Sequence, residues 1–298
     1  MAFRLPFLSA EGRPGRPSDV RGAEPEGGRQ AIALALGGGA ALGWAHIGVL
    51  RALIEAKVEV RAVAGTSIGA LAGVCFAADR LDVLEEIART ATLRTILRYL
   101  DPHMGRGAVL GGRTIARELE RHLGAFRFEH LPIPVAVVAT DLATGEAVVI
   151  DHGPVAEAVR ASMALPGIFY PVFREGRILI DGGAVMPVPV EAARRLASTL
   201  PVVAINLQGD YLRRSEAVGL SGTTPLLSSF GVLRSAIGLT MAHLARQSLR
   251  LCPPDLELSL PVGHIDIGNF TRADELIAIG RDAAEAALPQ IRALMTAR

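Results

Sequence analysis

Two consecutive stretches of this chain, 31–56 and 58–78, follow one pattern: an apolar run, a glycine-bearing turn, then apolar residues at helical spacing. AIALAL (31–36) reads as a buried strand that ends in Gly37-Gly38-Gly39. From Leu42 to Ala56, Trp44, Ile47, Leu50 and Ile54 recur at the spacing of a helix. VEVRAVAG (58–65) reads as a second strand, and Thr66-Ser67 opens a second helix from Ile68 to about Ala78. Strand, helix, strand, helix in this order is the start of a parallel α/β sheet, because parallel neighbours need a crossover long enough to hold a helix.

The later pattern extends that start. Residues 82–98 and 113–123 read as helices, 133–142 and 146–150 as strands joined by a turn, and Pro154–Met163 as a short helix with proline in its first turn. RILIDGG (177–183) reads as a strand ending in a turn, 189–197 as a helix and 201–207 as a buried strand. The pattern lapses into a surface loop over 211–225. Two helices follow, a largely apolar one over 229–251 and an amphipathic one over 271–296. With no internal repeat, the expectation is a three-layer αβα sandwich with a mainly parallel central sheet, formed by one domain over 31–298. The first thirty residues are rich in proline, glycine and charge and lack an apolar signal core, so a disordered leader is expected there.

Composition narrows the function classes. Half the residues are hydrophobic but only 4% are aromatic, so the core must be aliphatic and alanine-rich. A net charge of +1 gives no basic face for nucleic acid. Cys75 and Cys252 are too few and too far apart for a disulfide framework or a zinc site, and suit a reducing, cytoplasmic setting. No long uncharged apolar stretch suggests a membrane span.

Gly65-Thr66-Ser67-Ile68-Gly69 matches G-x-S-x-G between an apolar strand and an apolar helix, the setting of a nucleophile elbow. Side chains at Gly65 and Gly69 would collide with backbone in so sharp a turn, and the helix N-terminus favours negative charge developing on the Ser67 oxygen. Ester attack also needs N–H donors for the oxyanion. Gly37, Gly38 and Gly39 are candidates, joined by the N–H of Ile68. A dinucleotide fingerprint fails, because Leu42 stands where its third glycine is needed and no acidic residue closes the second strand. No Gly-Lys-Ser/Thr follows to make a P-loop.

Seven histidines (46, 103, 122, 130, 152, 243 and 264) could serve as base, and His264, in a late loop, is the best placed of them for a triad. The rival is Asp181, which with Gly182 and Gly183 ends the strand RILI, at the edge where parallel sheets present ligands. Taken alone, Asp-Gly-Gly reads as an ordinary turn.

In order along the chain, GGGAALGWAHIGVL, GTSIGA, ASMALPGIFYPV (161–172) and DGG resemble the patatin-like phospholipase family. PDLELSLPVGHIDIGNFTRADELIAIG (254–280) is similar to the tail of bacterial members related to the neuropathy-target-esterase branch. The resemblance covers about 31–290. It implies an αβα sandwich, a Ser67–Asp181 dyad, the Gly37–Gly39 oxyanion loop, a phospholipid or lysophospholipid substrate, and neither metal nor cofactor. Many members carry Arg where this chain has Leu42, so hydrolysis here would depend on backbone donors and head-group preference would change. The same dyad would also serve a thioesterase or a soluble-ester esterase, and a non-catalytic membrane-associated regulator would keep the elbow for packing alone. The helix at 229–251 is more apolar than one buried stripe requires. It reads either as a core helix or as the flank of an acyl channel resting on the inner face of a membrane, with Arg234, Arg246 and Arg250 near head groups. Arg94 and Arg98, among Leu93, Ile96, Leu97 and Tyr99, suggest a second interfacial edge.

Overall fold

The computed structural model describes residues 31–92, 94, 102–105, 108–110, 113–211, 213 and 229–296. The expected leader and almost all of the expected 211–225 loop lie outside the described residues, as do Arg98 and its apolar neighbours.

Five parallel strands form most of one eight-stranded sheet. In spatial order they are β10 (Leu256–Ser259), β9 (Val202–Asn206), β1 (Ala31–Leu36), β2 (Glu59–Thr66) and β5 (Val135–Asp141). Three antiparallel strands complete it: β6 (Ala147–Ile150), β7 (Val172–Arg174) and β8 (Arg177–Asp181). A separate hairpin pairs β3 (Pro102–Gly105) with β4 (Ala108–Leu110). The described helices are α1 (Ala45–Glu55), α2 (Ile68–Ala77), α3 (Leu81–Arg89), α4 (Arg113–Leu123), α5 (Val155–Ser162), α6 (Val190–Leu196), α7 (Ser229–Leu251) and α8 (Ala273–Thr296). They cover both faces of the sheet, which makes the expected αβα sandwich.

Strand alternation sorts side chains by size onto the two faces. Ile32, Leu34, Leu36, Val63, Val137 and Ile205 face the larger core, under α1, α2, α3, α5 and α8. Ala33, Ala35, Ala62, Ala64, Ala136 and Ala204 face the other side. Over that thin alanine layer lie the short helix α6, through Val190, Ala192 and Ala193, and α7, through Ala245 and Leu249. On the larger face α1 and α8 touch backbone to backbone. A Cβ on Gly48 would lie 1.9 Å from the Ile277 oxygen, and one on Gly280 1.9 Å from the Ala45 oxygen.

Some expectations need correction. The helix expected from Leu42 begins as a 3-10 turn over Ala40–Trp44, closed by Leu42 N–H donating to Gly39 O (3.1 Å), and becomes α-helical at Ala45. The helix expected over 82–98 is broken after Arg89, and residues 93 and 95–98 of that expectation lie outside the described residues. At the break the Thr90 hydroxyl donates to the Glu86 carbonyl (2.6 Å), and Ala91 N–H reaches back only three residues to Ala88 (3.3 Å). The short strands β7 and β10 and the β3–β4 hairpin had no counterpart in the sequence reading.

The most consequential correction concerns β8, which runs antiparallel to its neighbour β5. β6 takes one edge of β5 along Val137–Thr140. The opposite edge is shared, with β2 parallel to Val135–Val138 and β8 antiparallel to Ala139–Asp141. Thr66 lies opposite Val138, and Asp181 lies opposite the next residue, Ala139. The two strands therefore run toward each other along one edge and end at adjacent positions.

Candidate active site

Ser67 sits in the one-residue gap between β2 and α2. Its backbone lies at φ 55, ψ −123, a region that side-chain-bearing residues avoid at a cost of about 1–3 kcal/mol. The neighbourhood enforces this geometry. A Cβ on Gly65 would lie 2.4 Å from Ala70 Cα, and one on Gly69 2.2 Å from the Leu36 oxygen, so only glycine lets the turn close against the end of β1. Ser67 N–H donates to the hydroxyl oxygen of buried Ser162 (2.8 Å), and that hydroxyl donates to the Val138 carbonyl (2.6 Å). The Thr66 hydroxyl donates to the Met186 carbonyl at 2.9 Å. Ser162 ties the elbow to β5. It stood in a recognised segment, but nothing local to ASMALPG marks it as a partner of residue 67.

Because β2 and β8 end at adjacent positions, the Ser67 hydroxyl donates directly to Asp181 Oδ2, at 2.6 Å. The other carboxylate oxygen accepts Gly183 N–H at 2.7 Å, and the Asp181 carbonyl accepts the Thr140 hydroxyl at 3.0 Å. Gly182 packs at the junction, where a Cβ would lie 2.2 Å from the Val138 oxygen. Burial pushes the Asp181 carboxyl up to about 6, against the opposing hydrogen bonds from Ser67 and Gly183. Among the described residues no histidine bonds to either member of the pair. His264 Nε2 pairs with Glu275 of α8 at 2.8 Å, and His46 Nε2 bonds the Gly37 carbonyl at 2.7 Å. Burial lowers His46 to about 4, so its ring is neutral and donates from Nε2.

The glycine loop borders the serine, since a Cβ on Gly38 would lie 3.4 Å from Ser67 Cβ. The expectation that all three loop amides face an oxyanion is corrected for two of them. Gly37 N–H donates to Ile205 O (3.0 Å) and Gly38 N–H to Pro187 O (2.9 Å). On the carbonyl side, His46 holds Gly37 O and buried Gln208 Nε2 holds Gly38 O at 2.8 Å. A trans peptide points its N–H opposite to its C=O, so Gln208 fixes the direction of the Gly39 N–H. Gly39 and Ile68, the first residue of α2, are the members of the predicted set left to supply donors. Gln208 was missed. The clue was a polar amide directly after the buried run PVVAINL, at the edge where β9 ends. Leu42 is fully buried in the larger core, so in this conformation its position presents no side chain to the site.

A family model described as patatin-like phospholipase matches residues 34–194. The chain belongs to the patatin-like phospholipase family. Patatin-like phospholipases are lipid hydrolases, and the chain is similar to several curated members. It is 32% identical to an NTE family protein of Mycobacterium tuberculosis, over 86% of this chain and 91% of that protein. It is 32% identical to the mouse patatin-like phospholipase domain-containing protein 7, over 84% of this chain but 20% of that protein. Among solved structures, VipD from Legionella pneumophila aligns over 89% of this chain and 67% of its own, with TM-score 0.49 and 15% identity. Among the described residues, no helix is long and apolar enough to cross a membrane, and no group of three or more His, Cys, Asp or Glu could hold a metal ion.

The raised Asp181 value has a consequence for stability. Its carboxyl ionises more readily in the unfolded chain, near 3.8, than in the folded protein, near 6. Its protonated form therefore favours folding below pH 4. That contribution is lost as pH rises through 6, where the buried charge costs on the order of 3 kcal/mol. Asp181→Asn keeps an acceptor for Gly183 and a donor for Ser67 without the charge. Thermal unfolding should show the variant a few degrees more stable than wild type at pH 8, with the difference vanishing toward pH 4.

Proposed function

We propose that this chain is a serine-dependent lipid acyl hydrolase of the phospholipase A or lysophospholipase type, with Ser67 as nucleophile and Asp181 as base. The observation that carries the reading is the 2.6 Å hydrogen bond from the Ser67 hydroxyl to a buried carboxylate. A hydroxyl is a poor nucleophile until a base takes its proton in the attack. Asp181, raised to about 6, is a better base than an ordinary carboxylate and is still ionised at neutral pH.

In the first step the Ser67 proton passes to Asp181 as Oγ bonds to the acyl carbonyl carbon. The carbonyl oxygen becomes an oxyanion that accepts from Gly39 and Ile68 N–H. Collapse expels the alcohol, which takes the proton back from Asp181, and leaves an acyl ester on Ser67. Water then gives a proton to Asp181 and attacks that ester. Fatty acid leaves, and Ser67 recovers its proton. No metal or cofactor is needed for this sequence.

Contact with a membrane from its cytoplasmic face belongs to the same reading, and α7 is the surface best suited to it. Its buried stripe of Gly238, Ala242, Ala245 and Leu249 makes it in part the core helix considered from sequence. Away from that stripe Val232, Leu239 and Leu251 are exposed, as are Arg246 and Arg250 on the same helix. The Arg234 side chain lies outside the described residues. Met241 of the same helix reaches the Asp181 turn, since a Cβ on Gly183 would lie 2.9 Å from its Cε.

A fluorophosphonate probe should label wild type and not Ser67→Ala; labelling retained in Ser67→Ala would sink the reading. On a soluble ester, kcat/KM should fall about tenfold per pH unit below an apparent pKa near 6 and level off above it, because a protonated Asp181 cannot accept the serine proton. Gln208→Glu, which places an acceptor against the Gly38 carbonyl, should lower kcat by up to about 100- to 1000-fold with KM little changed, as loss of an oxyanion donor does. An unaltered kcat would remove Gln208 from the machinery.

A further inference from the structure

Beside the elbow lies a cavity of about 170 Å³, almost entirely apolar in lining. One wall is the face of α2 that starts at the residue after Ser67: Ile68, Leu71 and Cys75. The facing wall is Leu84 and Ile87 of α3, and Trp44 and Met163 stand at its near end. These near residues follow three parts of the site directly. Ile68 follows the nucleophile, Met163 follows Ser162, and Trp44 closes the turn after the glycine loop. Arg80 and Glu118 border the cavity, yet it stays apolar. The Arg80 guanidinium lies over the Phe126 ring at 5.4 Å. Burial pushes the Cys75 thiol up to about 12, so it contributes a neutral S–H to the wall.

We infer that this cavity receives the acyl chain of the ester attacked by Ser67, and that Cys75 sets how much of the chain is recognised. The inference rests on the Ser67–Asp181 reading and adds the path of the chain to it. From Ile68 to Cys75 the helix advances about 10 Å, at roughly 1.5 Å per residue. An extended alkyl chain gains a little over 1.2 Å per carbon, so this wall accompanies about eight carbons. The volume agrees in scale, being slightly larger than an apolar cavity of about 150 Å³ that accepts benzene. The walls belong to the larger-core face of the sheet, whereas α7 packs on the alanine face. The chain thus leaves Ser67 away from α7, which is left to meet the lipid surface.

Each methylene that leaves water for such a site contributes up to about fourfold in kcat/KM. Wild type should therefore gain steeply from butyryl to octanoyl esters. In Cys75→Trp, whose indole enters the cavity from the far part of the α2 wall, the octanoyl-to-butyryl ratio should fall at least tenfold. An unchanged ratio overturns the proposal. A second measurement uses the wild-type protein and does not depend on a variant folding. An alkyl fluorophosphonate carrying a diazirine near its eighth carbon is reacted with the protein and irradiated, and the cross-linked peptide is identified by mass spectrometry. Insertion into 71–75 or 84–87 is expected. Labelling of Ser67 with insertion into α7, or into neither of those segments, overturns the cavity proposal and leaves the nucleophile standing. Failure to label Ser67 at all overturns both.

Discussion

The site exists because β2 and β8 run into each other along one edge of β5. Thr66 and Asp181 pair with consecutive residues of the same strand, Val138 and Ala139. That register, and no property of the loops, brings together a hydroxyl and a carboxylate separated by 114 residues in sequence. It is also unforgiving. A one-residue slip of β8 would turn Asp181 to the opposite face of the sheet. The contacts around the junction can be seen as protection of that register. Ser162 links the elbow to the Val138 carbonyl, Thr140 bonds the Asp181 carbonyl, and Gly182 lies against Val138 with no room for a side chain.

Burial of the carboxylate works in two directions at once. It destabilises the ionised fold, and it makes Asp181 a stronger base than an exposed aspartate. The same water-poor setting strengthens the hydrogen bonds made to that carboxylate. The glycine loop divides its polar groups in a related way. Four of them, the N–H and C=O of Gly37 and Gly38, are spent on fixed partners. That investment leaves the next amide rigidly aimed, which is the form of preorganisation that oxyanion stabilisation requires.

Much of this was legible in the sequence, for identifiable reasons. β1, β5 and β9 are buried along their whole length and β2 from Ala62 onward, so each carries an apolar run that stands out from its surroundings. The elbow was readable because a sharp strand-to-helix turn demands glycine at fixed offsets. Asp181 was legible as the end of a strand at the edge where parallel sheets present ligands, but not that β8 reaches this edge from the opposite direction. Strand direction is set by pairing with β5, and a five-residue run carries no mark of it. β7 and β10 are three and four residues long, with too few alternations to register. The partners of the glycine loop, Pro187, Ile205 and Gln208, lie some 150 residues or more downstream, where local pattern cannot reach them. The break after Arg89 was not legible because the apolar spacing runs on past it, while Thr90 closes the last turn of α3 with its own hydroxyl.

The backbone contacts of Gly48 with Ile277 and of Gly280 with Ala45 tie the first crossover helix to α8. On the sheet, the strand that begins the fold is likewise completed late, because β9 fills the free edge of β1. A ribosome making this protein therefore releases the glycine loop and the elbow long before their supports exist. Until about residue 280 has emerged, α1 has an uncovered flank, and β1 waits with an open edge until β9 arrives. Such exposed apolar surface is what holding chaperones bind and what aggregation exploits. Truncation from the C-terminus would accordingly be felt first at the opposite end of the chain, beside the glycine loop and Ser67.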